Sequence, residues 1–239
     1  MRTTVQFLIL TLPLLLAACD EQQIQYSYQS PTPIAPVPDG VETAVATAPA
    51  MGAASRATAT LPPRTEVRWA APDYTEDVEP KVLQGILAQM PTRYTPSDKQ
   101  MPMRLGTWMI PAANGGETGE LVVYYFGAGQ GGSVEDNVQR WLGQFRAPAG
   151  VETPLVRYEG GPVGNLTVTR ATMEGTWSPP AMGPGAPAQP TREEYALDAL
   201  IVEGGPDGAL FFRFTGPIGL IRSEDKPIRR IATSLMIAK

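Results

Sequence analysis

The amino-acid sequence predicts an α+β domain built on one antiparallel sheet, preceded by a disordered N-terminal tether. Residues 65–239 contain several strand-like runs, which are separated by Gly-Pro, Gly-Gly or Asn-Gly turns. Few stretches in that range have apolar residues at helical spacing. Strands joined mostly by hairpin-like turns, together with a few helices, indicate an antiparallel sandwich. The residues before this range are rich in Pro, Ala and Thr, a composition typical of disorder.

The first twenty residues have the layout of a secretory signal. Arg2 supplies a positive charge, residues 7–16 are mostly apolar, and small residues precede Cys19. The apolar core has roughly a dozen residues, fewer than the ~20 that a membrane-spanning helix needs. We therefore predict that residues 1–18 are a cleaved signal peptide rather than a permanent anchor.

The tetrapeptide Leu16-Ala17-Ala18-Cys19 resembles the lipobox of bacterial lipoproteins. The resemblance implies that the Cys19 thiol takes a diacylglyceryl group, that the chain is cut before Cys19, and that the new amine is acylated, for example with palmitate. Two or three acyl chains hold a protein stably at a membrane. We therefore predict a lipid-anchored protein of the cell envelope or periplasm, at the inner or the outer membrane. The alternative is an ordinary secretory signal with a chance cysteine.

The tether follows the lipidation site and covers residues 19–64. It consists mainly of Pro, Ala, Thr, Ser and Gln, with few large apolar side chains. Such a segment cannot bury enough surface to offset the entropy lost on ordering. As a flexible coil it would span roughly 35 to 40 Å, and its prolines would lengthen it. The globular domain, residues 65–239, can thus stand clear of the bilayer.

Composition restricts the chemistry of the domain. Cys19 is the only cysteine and the chain has no histidine, so the domain lacks disulfides, the commonest general base and the usual metal ligands. The chain has 19 basic and 24 acidic side chains, and loss of Arg2 would take its net charge from −5 to −6. A negative chain disfavours nucleic acid as a partner. We predict no cofactor, no metal, no catalytic residues and no nucleic-acid partner.

The elements of the domain can be assigned in chain order. A short strand is predicted at 67–70, and a helix at 78–90 from the spacing of Val82, Leu83, Ile86, Leu87 and Met90. Further strands are predicted at 103–110, 121–126, 155–158, 165–173, 195–202 and 209–215, with Asn114-Gly115-Gly116 as a hairpin loop between the first two. Residues 178–190, a Pro-rich stretch, are predicted to form a long loop. A helix after Pro227 closes the chain, with Ile228, Ile231, Ala232 and Leu235 on one side.

The run Gly127-Ala128-Gly129-Gln130-Gly131-Gly132 has the GxGxxG spacing of a dinucleotide site. In that reading, backbone N–H groups at a helix start would hold a pyrophosphate, and Glu152 would hold a ribose. The surrounding pattern is one of hairpins rather than βαβ units, which argues against a cofactor. We favour a loop whose glycines adopt positive φ.

A helix is predicted after this loop, with Ser133 as its cap and a buried apolar side formed by Val134, Val138, Trp141, Leu142 and Phe145. The candidate binding residues are those that line the loop and the polar side of the helix: Gly129, Gly131, Gly132, Asn137, Arg140 and Gln144. They could bind a carboxylate or a peptide backbone. Alternatively, the polar side chains hold the loop and the helix end in place through hydrogen bonds, which is the interpretation we favour.

Two resemblances concern the domain. The helix pattern of Asn137, Arg140, Trp141 and Gln144 resembles one found in uncharacterised exported bacterial proteins. The run Phe211-Phe212-Arg213-Phe214-Thr215-Gly216-Pro217, followed by the closing helix, resembles the end of PsbP-like domains. The second resemblance implies a single antiparallel-sheet α/β/α sandwich and an accessory or binding role.

Two functions remain open. The first is a non-enzymatic envelope lipoprotein that binds another envelope protein or a small ligand. The second is an extracytoplasmic hydrolase that uses carboxylates or a Ser/Lys pair. Ser223 and Lys226 have the SxxK spacing of penicillin-binding enzymes, but the accompanying motifs are absent from the sequence, so helix capping is the favoured role. Glu193 and Glu194 are adjacent and so point in different directions.

Overall fold

The computed structural model describes residues 61–98, 101, 103–180 and 187–238. The predicted signal peptide, Cys19 and the predicted tether up to residue 60 lie outside the described residues, as do residues 181–186 of the predicted long loop. Within the described part, no helix is long and apolar enough to cross a membrane.

Within these residues the chain forms twelve strands and three α-helices. The strands are β1 Thr65–Glu66, β2 Val78–Leu83, β3 Ile86–Pro91, β4 Thr95–Pro96, β5 Arg104–Ile110, β6 Gly119–Tyr125, β7 Phe145–Arg146, β8 Leu155–Val163, β9 Leu166–Trp177, β10 Arg192–Glu203, β11 Leu210–Pro217 and β12 Met236–Ile237. The helices are α1 Val134–Leu142, α2 Ile218–Ser223 and α3 Asp225–Ser234. The prediction of a mixed α+β fold is confirmed.

The described strands form two sheets. The main sheet has nine strands in the order β1, β8, β9, β10, β11, β6, β5, β4, with β7 beside β9. Its pairings are antiparallel except for the short parallel pair of β1 and β8. The smaller sheet has the order β12, β3, β2. Strands that follow one another from β8 to β11 are also neighbours in the sheet, as expected from short turns.

The helix predicted at residues 78–90 was wrong, because this stretch forms the hairpin of β2 and β3. Gln84 and Gly85 form its turn, and both have positive φ, 43° and 69°, as a two-residue turn that matches the strand twist requires. In β3 every second residue is fully buried: Ile86, Ala88 and Met90. The apolar residues of this stretch fit both a helical and an alternating pattern, and packing against the main sheet favours the strand.

The main sheet is covered on both faces. On one face, the small sheet and α3 form a core with it through fully buried side chains such as Ile86, Ile228 and Phe212. On the other face, α1 packs through Val138 and Trp141. The predicted apolar sides of α1 and of the closing helix are therefore confirmed. Because α1 has nine residues, it covers only part of its face.

The ends of two helices test the predicted caps. Ser133 caps α1, since its hydroxyl oxygen accepts a hydrogen bond from the Asp136 N–H at 3.0 Å. The capping role predicted for Ser223 was wrong, because its hydroxyl donates to the Leu220 carbonyl within α2. The residue that precedes α3 is the buried Glu224, which accepts hydrogen bonds from the Tyr94 hydroxyl at 2.5 Å and from Arg93 at 2.6 Å. This carboxylate ties the start of α3 to the turn between β3 and β4.

The residues on either side of β1 also contact the sheet. Leu61 packs against the α1 side of the core, and Arg64 donates to the Thr169 hydroxyl at 2.8 Å. Val67 lies so close to β8 that a Cβ atom on Gly161 would be 1.9 Å from its carbonyl oxygen. Glycine at this position therefore lets the incoming chain cross the sheet edge.

Candidate functional site

A groove runs over the face of the main sheet that α1 covers only in part. Two adjoining cavities of about 420 and 450 Å³ form it, and both are lined by Tyr124, Pro180 and Arg213. Its sides come from β5, β6, β10 and β11 and from the polar side of α1. We call it the arginine groove, after its four arginines: Arg104, Arg140, Arg192 and Arg213.

Arg213 lies at the floor of the groove, where the two cavities meet. It is half-buried, on a central strand. Its guanidinium lies 5.8 Å from the centre of the Tyr124 ring, a cation–π contact. Among the described residues its buried Nε has no hydrogen-bond partner and no carboxylate forms an ion pair with it. A partly buried cation whose Nε lacks a partner and that forms no ion pair favours the approach of an anion.

Two further arginines add positive charge around Arg213. Arg104 lies 5.6 Å from the Tyr124 ring and 4.0 Å from the Glu120 carboxylate, its nearest ion-pair partner. Arg140 is exposed and donates a hydrogen bond to the Asn137 side-chain oxygen. Burial lowers the pKa of the Arg213 guanidinium; Tyr124 and Glu120 act to raise this pKa, and the cations of Arg104 and Arg140 act to lower it. The groove is thus lined by four arginines and by two carboxylates, Glu117 and Glu120, so its positive side chains outnumber its negative ones.

Irregular backbone shapes the rim of the groove at two places. Met103 has a φ of 63° and precedes a β-bulge in β5 between Arg104 and Gly106. Glu194 has a φ of 50° and lies within a bulge of β10 between Arg192 and Tyr195. Bulges redirect side chains, and strained backbone is concentrated at binding sites. Here both irregularities lie beside an arginine of the groove.

The end of the groove away from α1 is closed by an ion pair and stacked rings. Arg192 is 2.6 Å from the Glu117 carboxylate, which also accepts a hydrogen bond from the Tyr195 hydroxyl at 3.3 Å. Trp177 and Tyr195 stack with their ring centres 5.1 Å apart. Burial raises the pKa of Tyr195, so its hydroxyl stays protonated at neutral pH. Glu117 is thus held by two donors.

The predicted binding residues divide by role. Asn137 is 1 % exposed and donates to the carbonyls of Gly131 and Ser133, at 2.7 and 2.8 Å. Gln144 accepts a hydrogen bond from the Trp177 indole at 3.2 Å. These two side chains hold the loop and the helix end, whereas Arg140 extends over the groove.

The glycine loop, residues 127–132, lies next to Phe211 and Asn137, which line the cavity beside α1. A Cβ atom on Gly131 would lie 2.9 Å from the Phe211 ring, whereas one on Gly129 would meet nothing within 4 Å. Gly132 lies beside the Asn137 amide. The strand that follows α1 is β7, which pairs antiparallel with β9 and not with β6. The loop therefore does not open a βαβ unit of the kind that binds dinucleotides.

We expect Gly131→Ala to destabilise the fold more than Gly129→Ala. Both residues have positive φ, 102° and 69°, but only the first substitution also pushes against Phe211. We expect losses in free energy of unfolding of about 2–3 kcal/mol for Gly131→Ala and about 1 kcal/mol for Gly129→Ala. Urea denaturation measures both. Equal losses would contradict the packing role of Gly131.

A second cluster of charges lies on the opposite face of the sheet, under α2 and α3. Arg170 binds Asp198 through two hydrogen bonds of 2.9 and 2.7 Å and lies 2.9 Å from Asp225. Burial acts to raise the pKa of Asp225, but the cations of Arg170, Arg157 and Arg229 outweigh it and lower the pKa. Each carboxylate of this cluster has an arginine partner, so the cluster joins the start of α3 to the sheet.

The sequence reasoning missed Arg104, Tyr124 and Arg213. A signal was present for the last of these, because Arg213 interrupts an aromatic strand and alternation places it on the same face as Phe211. A charged residue at such a buried position requires a partner or a function.

Within the described residues, no group of three or more Asp, Glu, His or Cys side chains is placed to hold a metal ion. Comparison with protein-family models and with curated protein sequences gives no match for the chain.

Proposed function

We propose that the protein is a lipoprotein of the bacterial cell envelope, and that its domain is a non-enzymatic binding or accessory module. The secretory signal layout and the lipobox-like tetrapeptide ending at Cys19 support the anchor. The tether lets the domain reach partners away from the membrane surface. The partner is another envelope protein with an acidic group, and not a nucleic acid, since the chain is itself negative.

The proposal includes a PsbP-like α/β/α arrangement for the domain. Helices on both faces of one antiparallel sheet support it, α1 on one face and α3 on the other. PsbP-like domains are chiefly accessory and binding modules, which agrees with the role proposed here.

One observation carries the binding role: the half-buried Arg213 guanidinium forms no ion pair among the described residues, and its Nε is buried without a hydrogen-bond partner. A purely structural arginine in a sheet would be paired, as Arg170 is with Asp198. An unpaired cation at such a position lowers the stability of the folded domain. Residues that are kept although they lower stability are typical of functional sites. The acidic group of a partner would supply the missing charge.

Crosslinking in intact envelopes, followed by capture of the full-length protein, tests this role. The variant is Arg213→Met, which keeps the side-chain length and removes the charge. The control is Arg222→Met, because Arg222 is exposed on the opposite face and pairs with Glu174 at 2.6 Å. We expect at least one envelope protein to be enriched with the wild type and the control, and lost with Arg213→Met.

Thermal unfolding separates this role from a structural one. Because Arg213→Met removes a half-buried charge that has no ion-pair partner, we expect its Tm to equal or exceed that of the wild type. A lower Tm together with lost capture would assign Arg213 to the fold. Equal enrichment by the wild type and Arg213→Met, or no enriched protein, would refute the binding role.

A further inference from the structure

The arrangement of the arginine groove indicates the shape of its ligand. Arg213 and Tyr124 lie at the junction of the two cavities, so the anion site has a space on each side. The cavity beside α1 is lined by aromatic rings: Phe126, Trp141 and Phe211. The other cavity reaches the stacked rings of Trp177 and Tyr195 and is also lined by the charged side chains of Glu117, Glu120 and Arg192. A ligand with one acidic group between two apolar groups could place each apolar group against one of these two sets of rings.

An extended polypeptide has this distribution of side chains. In an extended chain, residues i−2, i and i+2 point to the same side and are spaced about 6.5–7 Å apart. An acidic side chain at position i would reach Arg213, and apolar side chains two residues before and after it would enter the two cavities.

The charges of the groove favour a carboxylate at the junction. Arg140 and Arg213 have no ion-pair partner among the described residues, and Arg104 has only Glu120 at 4.0 Å. A carboxylate placed at the junction would form charge-assisted hydrogen bonds with Arg213, whose Nε is already buried without a partner. The bulges beside Arg104 and Arg192 leave the rim irregular.

We propose that the arginine groove binds an extended segment of a protein partner that carries an aspartate or glutamate with apolar residues two positions before and after it. This inference rests on the proposed function, because it names the ligand of the same groove. Arg213 binds the acidic side chain, and the two cavities select the apolar neighbours.

Calorimetric titration of the full-length protein in detergent micelles tests the inference. The probe is the acetylated and amidated peptide Ala-Phe-Ala-Glu-Ala-Phe-Ala. One control peptide has Gln in place of Glu, and another has Phe directly next to Glu. We expect the Gln peptide to bind about 30-fold more weakly, and the peptide with displaced Phe about tenfold more weakly. Arg213→Met should lose the preference for Glu over Gln, and Arg222→Met should keep it.

Three results would overturn the inference: equal binding of the Glu and Gln peptides, equal binding by Arg213→Met, or equal binding of the peptide with displaced Phe. Absence of binding of the Glu peptide to the wild type would also overturn it. If the Glu peptide does not bind but crosslinking still captures a partner through Arg213, the binding role stands. Only the proposal that the ligand is an extended acidic segment is then wrong.

Discussion

Replacing Cys19 by serine is expected to abolish acylation and membrane attachment. The thiol is the group that takes the diacylglyceryl chain in the proposed lipoprotein, and Cys19 is the only thiol of the chain. Each buried CH₂ of an acyl chain contributes about 0.8 kcal/mol to membrane binding, and stable anchoring needs two chains or more. A serine at this position supplies no anchor.

Palmitate labelling and the intact mass of the mature protein measure this effect. We expect the wild type to be labelled and to begin at Cys19, and Cys19→Ser to be neither labelled nor cut at that bond. Asp20→Ser is a matched control, because it changes the next residue and keeps the thiol, so it should be acylated and cut. A Cys19→Ser chain that is processed at the same bond and enters the detergent phase would refute the anchor.

The second large effect is expected for Arg170→Met, which breaks the buried ion pair with Asp198. Arg170 and Asp198 have side-chain exposures of 1 % and 3 %. Removal of Arg170 leaves the Asp198 carboxylate buried without its partner, and breaking such a pair costs about 3–5 kcal/mol. A domain of this kind has a total stability of about 5–15 kcal/mol, so a large part of it would be lost.

Chemical denaturation measures this loss. It compares the single variant with the double variant Arg170→Met/Asp198→Leu and with a surface control. The double variant removes both charges and is expected to recover most of the stability, because apolar replacement of a buried pair is often neutral or stabilising. Lys81→Ala breaks the exposed pair with Glu79, 3.0 Å apart, and should cost less than about 1 kcal/mol. A loss under 1 kcal/mol for Arg170→Met would contradict the role of Arg170 in joining α3 to the sheet.

Much of the fold could be predicted from local pattern. The hairpin of β5 and β6, the cap at Ser133 and the buried side of α1 depend on residues close in the chain, and each was predicted. Residues 78–90 show where local pattern fails. Their apolar residues fit a helix, yet the Gln84-Gly85 turn and the neighbouring sheet favour a hairpin. The difference in energy between the helix and the hairpin arises from tertiary packing, and the local pattern of apolar residues carries no information about that packing.

The candidate site was predicted less completely than the fold. Arg140 was identified because it is close in sequence to Asn137 and Gln144, in a run that the sequence predicts as one helix; α1 itself ends at Leu142. Arg104, Arg192 and Arg213 lie on separate strands, more than a hundred residues apart at the extremes, and only sheet order brings them together. Alternation assigns Arg213 to a face of β11, but it does not say what covers that face.

The sequence by itself determined the chemistry that is open to this protein. A single thiol at Cys19 and the absence of histidine are properties of composition, and they do not depend on folding. The tertiary structure alone decided which charges are paired. Arg170 and Arg213 are both arginines of central strands, yet one lies against Asp198 and the other against a groove. The physical reason is that burial removes water from a charge, while the presence of a counter-charge depends on elements distant in the chain.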